Sequence, residues 1–215
     1  MDSNKRSIIR KLAAIAVIGF VGIPAGAGLI PTLEQFQEEN GYGTEEVVAD
    51  TTEEVVEEEV AMTKRWVLPN GSHNEKVVLT ALQDRGITDR IALAVVLGNI
   101  RQESRFHSNI CEGGARVNYH SCRYGGYGLI QWTTSDRYRG LGHYASRIGG
   151  NPSSVETQVE YIFKERQWLD IEASLKRNGH SVSYYMNKAY YWLGWGHHGA
   201  RTHFSHDYAA RLVFK

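Results

Sequence analysis

The chain has only two cysteines in 215 residues, no internal repeat and no net charge. Two cysteines cannot build a disulfide-dense scaffold, and the lack of repeats excludes a solenoid. Ten residues separate Cys111 from Cys122, a spacing that matches no common zinc pattern even with His107 and His120 at its flanks. In a Gly-rich stretch of this kind a disulfide is the first expectation, with two free thiols or a His/Cys metal site as alternatives; no metal and no cofactor is expected. A further absence is basic charge between residues 32 and 61, which carry eleven acidic side chains, no Lys or Arg, one Tyr and one Phe. Like charges repel and so little apolar surface cannot offset chain entropy, so this stretch reads as a linker without a packed core.

Zero net charge therefore conceals a division. From residue 62 onward 20 Lys and Arg face 12 Asp and Glu, and all nine His lie there. That length suits one domain with one core. Its basic excess suits an anionic polymer, bacterial cell wall or nucleic acid; because the basic residues are scattered and no nucleic-acid motif accompanies them, nucleic acid is not expected as a partner. At the other end Lys5, Arg6, Arg10 and Lys11 precede an uncharged run, Leu12 to Ile30. Its nineteen residues just suffice to span a bilayer, though nine are Gly or Ala and Pro24 interrupts them. The basic flank predicts export of everything after Ile30, the run serving as an inner-membrane anchor or as a signal cleaved near Ala25-Gly26-Ala27. The expected organisation is 1–31 signal-anchor or signal peptide, 32–65 acidic flexible linker and 66–215 folded domain.

Within that domain Ser72 and Glu75 form a capping-box pattern, predicting a helix from about Asn74 to Arg85. Asp89 caps a second, in which Ile91, Ala94, Val95, Leu97, Gly98 and Ile100 recur with helical spacing. Glu103 falls in its last turn, at the edge of the apolar stripe. There the helix dipole disfavours an anion by about 0.3 to 1 kcal/mol, and partial burial acts in the same direction. A raised pKa is predicted, as a proton donor in glycoside cleavage requires; the alternative is an exposed Glu paired with Arg101 or Arg105. Residues 107 to 128, rich in Gly and Tyr, read as an extended loop or small hairpin. Ser153 with Glu156 opens a helix predicted to run to about Leu175, another runs from Ser181 through Trp192, and a last one from about His206 to Phe214. The fold class is mainly α with a small β or irregular element.

The run Gly98-Asn99-Ile100-Arg101-Gln102-Glu103-Ser104-Arg105-Phe106, followed by Gly126-Tyr127-Gly128-Leu129-Ile130-Gln131-Trp132-Thr133 and then Arg137, resembles the bacteriophage tail-lysozyme family of the lysozyme and lytic transglycosylase superfamily. The resemblance covers roughly residues 72 to 214. It implies a lysozyme-like α+β fold whose irregular element lines a cleft, and cleavage of the β-1,4 bond between N-acetylmuramic acid and N-acetylglucosamine in peptidoglycan. By position it makes Glu103 the catalytic acid, places Gln131 and the Tyr127–Trp132 backbone along the glycan groove, and gives Ser104 a supporting role toward substrate or acid. Trp132 suits stacking on a sugar face, and Tyr190, Tyr191 or Trp195 is expected to reach the cleft; Tyr191 is taken as the substrate contact. A second carboxylate is sought among Asp136, Glu112 and Asp207, Asp136 foremost; a lytic transglycosylase needs none. The cysteine-bearing insertion and the histidines His197, His198, His203 and His206 depart from the family pattern. Two settings are expected: a lysis enzyme exported on a weak anchor, or a virion-associated enzyme with other virion proteins as partners. A wall-binding module without catalysis is the alternative of a different class.

Overall fold

The computed structural model describes residues 64–215. The apolar run Leu12–Ile30 and the acidic stretch lie outside them, apart from Lys64 and Arg65 at the boundary drawn for the linker. Seven α-helices and one two-stranded ladder make up the described residues: β1 (Trp66–Val67), α1 (His73–Asp84), α2 (Arg90–Ser104), α3 (Ser135–Ile148), α4 (Val155–Ile162), α5 (Arg166–Leu175), α6 (Val182–Leu193), α7 (Arg201–Arg211) and β2 (Val213–Phe214). Among these residues no helix is long and apolar enough to cross a membrane.

α2 is the centre. Asp89 caps it by accepting from Ile91 N and Ala92 N, and every residue from Ala92 to Ile100 is buried. A helix apolar all round belongs inside other helices, and α6 and α7 pack on it, with Trp168 of α5 meeting Trp192 of α6 edge-on at 5.0 Å in the same core. α1 begins with the capping box read in the sequence: Ser72 accepts from Glu75 N, and the Glu75 side chain accepts from Ser72 N. β1 pairs antiparallel with β2, joining the two ends of the described domain. Gln83 of α1 clasps β1, accepting from Trp66 N at 2.8 Å and donating to Trp66 O at 2.9 Å.

Four expectations are corrected. Helix α3 was not foreseen; its cap residue Thr134 makes no side-chain capping bond, and only Gly149 in the left-handed conformation marks its end. The single helix expected over 153–175 is two, because the chain turns at Phe163–Glu165 and starts α5 afresh, and its cap is Ser154 rather than Ser153. The closing helix lies earlier, at 201–211, and residues 213–214 are strand. Finally, the regular ladder joins the domain's ends. The element expected along the cleft, residues 107 to 128, holds only isolated bridges, Ile110 with Arg116 and Cys111 with Tyr127, and a short 3-10 turn at Tyr119–Ser121.

Candidate active site

α2 delivers Glu103 in its final turn, where carbonyls without intrahelical partners disfavour a negative charge. The side chain is 16 % exposed and pairs with Arg201 of α7, which is 5 % exposed. Burial pushes the Glu103 carboxyl up; the charge and hydrogen bond of Arg201, and the charge of Arg137, pull it down without overcoming burial. The Glu103 carboxyl is therefore raised from its ordinary value. Burial also lowers Arg201 against the raising influence of Glu103, but a guanidinium starts so far above neutrality that it stays charged. Arg201, and not Arg101 or Arg105, is the partner of Glu103.

Two features of α2 set this pair. Gln102 accepts from Ala200 N at 2.9 Å, so the residue beside Glu103 holds the start of the helix that carries Arg201. A Cβ at Gly98 would lie 2.6 Å from Ser205 N, so α2 and α7 approach this closely only because residue 98 has no side chain. Against Arg201 lies Trp195, partly exposed, with the guanidinium 4.7 Å from its ring centre and Tyr190 packed edge-on at 5.3 Å. Tyr191 is 64 % exposed and meets Tyr190 instead. Of the three aromatics expected near the cleft, Trp195 is the one stacked on Arg201; Tyr191, facing solvent from the next position on α6, is not.

Against the end of α2 stands the turn Gly126–Trp132. Tyr127 and Trp132 exchange both backbone hydrogen bonds, at 3.0 and 3.3 Å, and Gly128 (φ 71°) and Gln131 (φ 53°) take the left-handed conformation. A non-glycine residue at positive φ is uncommon outside constrained sites. Gln158, fully buried, supports the turn from beneath: it accepts from Leu129 N at 2.9 Å and donates to Ser108 O and Pro152 O at 2.6 and 2.7 Å. Ser104 donates to Leu129 O at 2.8 Å and thereby ties the acid's helix to the turn. Tyr127 donates to Ser153 Oγ at 2.7 Å. Trp132 Nε1 donates to Glu165 at 3.0 Å, and Glu165 in turn receives both arms of Arg137 at 2.7 and 2.9 Å.

The side chains of Ser104, Tyr127 and Trp132 are thus buried and bonded inward. These three side chains hold the wall from behind, and the supporting place expected for Ser104 is the one it occupies toward Leu129. What the wall presents is its backbone and the half-buried Gln131, whose amide donates to Gly128 O at 3.0 Å. Cys111 and Cys122 form a disulfide, Cα atoms 5.6 Å apart. It staples the loop in which Glu112 accepts from Gly126 N at 2.9 Å. Asp136, in the first turn of α3, has a side chain 91 % exposed and paired with Arg139; Asp207 is bonded to Arg101 and Arg211. His197 accepts from Gly199 N and His198 contacts Thr202, so both belong to the turn before α7; among the described residues no three His, Cys, Asp or Glu are gathered to hold a metal.

Sequence reading missed Gln158 and Glu165. Both carried a signal, since each lies on the apolar stripe of its helical segment, where a polar residue must find partners to be buried.

A family model described as phage tail lysozyme matches residues 73–203, from the first residue of α1 into α7. The chain belongs to that family. The matched span contains Glu103, the Gly126–Trp132 turn and Arg201, and it supports a peptidoglycan-lytic, lysozyme-like function in general terms. Neither a curated protein nor a solved structure matches the chain.

Proposed function

We propose that the domain is a muramidase that cleaves the β-1,4 bond between N-acetylmuramic acid and N-acetylglucosamine in peptidoglycan, with Glu103 as general acid. The observation that carries this reading is a half-buried carboxyl raised from its ordinary value by burial within a phage tail lysozyme domain. Glu103 protonates the departing glycosidic oxygen as positive charge develops on the sugar. Arg201 limits how far the carboxyl rises and fixes its direction, while Trp195 offers an apolar face beside it for a sugar ring.

For the second half of the reaction we favour hydrolysis. Asp136, exposed in the first turn of α3 and paired with Arg139, is the carboxylate we assign to it. Attack by the muramic acid's own hydroxyl would make the enzyme a lytic transglycosylase and leave anhydromuramic ends, so mass analysis of the products separates the two. Purified protein should clear isolated peptidoglycan, and Glu103→Gln should lose about 100-fold or more of that rate while keeping its circular dichroism. Equal clearing by both proteins removes Glu103 from the catalytic role and leaves a wall-binding module.

The basic flank, the weakly apolar run Leu12–Ile30 and the acidic stretch form one logic of export. On that ground we favour a lysis enzyme acting outside the inner membrane over a virion-borne one. Finding the protein in purified virions would reverse this.

A further inference from the structure

Arg101 precedes Glu103 by two residues, about 200° round α2, and so faces away from the acid. On that side a cavity of about 490 Å³ opens where the end of α2 meets α7 and the start of α1. Three guanidiniums reach it, those of Arg101, Arg105 and Arg211, with Phe106 and Phe204 among its apolar lining. Two are fixed in place. Arg101 donates to Asp207 at 2.6 Å with its guanidinium 4.4 Å from the Phe204 ring centre, and Arg211 donates to the same carboxylate at 3.1 Å while lying 4.8 Å from that of Tyr208. Glu75, the other carboxylate here, accepts from Tyr208 Oη and Ser72 N and stands 3.7 Å from Arg211. Arg105, exposed and just past the helix end at φ 52°, has no carboxylate partner among the described residues.

Three cations against two carboxylates leave one positive charge unmatched, directed at an open cavity. Gathering like charges costs free energy that an arriving anion returns, and guanidiniums already stacked and tethered lose little freedom when their remaining N–H groups are used. We propose that this cavity is an anion-binding site, distinct from the Glu103 site, for a compact carboxylate- or phosphate-bearing group. Arg105 provides the unmatched charge, and Arg101 and Arg211 provide donors already in position. The site does not depend on the reaction at Glu103.

Full-length protein titrated at low salt with inorganic phosphate, and separately with N-acetyl-D-alanyl-D-alanine, tests this through the Arg Nε resonances in NMR. Saturable shifts at Arg101, Arg105 and Arg211 with at least one probe are expected; read at Arg101 and Arg211, the affinity should weaken about tenfold or more in Arg105→Gln and stay unchanged in Arg123→Gln, an exposed arginine elsewhere. Tighter binding of phosphate identifies a phosphodiester polymer as the source of the group; tighter binding of the peptide identifies a peptide carboxylate. Non-saturable shifts with both probes, or equal losses in the two variants, overturn the proposal while leaving the peptidoglycan-clearing result at Glu103 as it stands.

Discussion

Glu103 is neutral or charged according to a contest between burial, which raises its pKa, and two guanidiniums, which lower it. Because burial prevails, the proton is kept to higher pH than on an ordinary Glu, and activity should fall as pH rises through that raised value. The same shift has a stability consequence. A group whose folded-state pKa exceeds its unfolded one contributes stability that is complete below the unfolded value and is lost as pH rises through the folded value. Arg201→Met removes the nearer guanidinium with both its charge and its hydrogen bond, so Glu103 should rise further and the alkaline limb of the activity profile should move to higher pH. Peptidoglycan clearing followed across pH measures this. An alkaline limb that stays or moves to lower pH would show that Arg201 does not govern the acid.

At the scale of elements, the meeting of α2 and α7 is the joint on which the pair depends. Gly98→Ala places a methyl carbon against the Ser205 backbone, and overpacking of this kind costs about 1 to 3 kcal/mol. Lower denaturant resistance together with a lower clearing rate is expected, since the Glu103–Arg201 contact must shift with the helices; a change in stability alone would mean the joint yields elsewhere. The helices whose starts carry their own caps, Ser72, Asp89 and Ser181, were legible in the sequence because the signal and the structure lie in the same few residues. α7 was displaced because, like α3, it starts without a side-chain cap of its own: Ala200 precedes it and is held by Gln102 of another helix. The break at 163–165 was hidden because apolar periodicity continues across it while Glu165 is drawn to Arg137 and Trp132. Glu103 stood out in the sequence through its place at a helix end and its family pattern, and the raised carboxyl expected there is what the structure has. Arg201 belongs to the closing segment that resembles the family, but its pairing with Glu103 could not be read from it, because a pairing across 98 positions leaves no local trace. That the Trp132 and Tyr127 side chains are fully buried could not be read beforehand, because an aromatic that faces a cleft and one that supports it from behind look alike in a sequence.

At the scale of the described domain, the disulfide is a local covalent staple and the terminal ladder a tie between residues far apart along the chain. Cys111–Cys122 closes a short loop, for which chain entropy predicts about 2 to 3 kcal/mol. Replacing both cysteines by serine should lower the melting temperature by roughly 5 to 10 °C, read by calorimetry. Clearing activity should fall as well, since the same loop holds Gly126 through Glu112; full activity in the variant would show that the wall stands without its staple. The ladder has a different consequence. Arg65 and Lys215 exchange backbone hydrogen bonds at 2.6 and 2.9 Å, so head and tail of the described fold lie beside one another. A short peptide could close the domain into a ring and new ends could be cut at Gly113–Gly114, a loop tip where both glycines are exposed and no neighbour crowds them. Such a permutant would show whether order along the chain matters to this fold, or only adjacency in space.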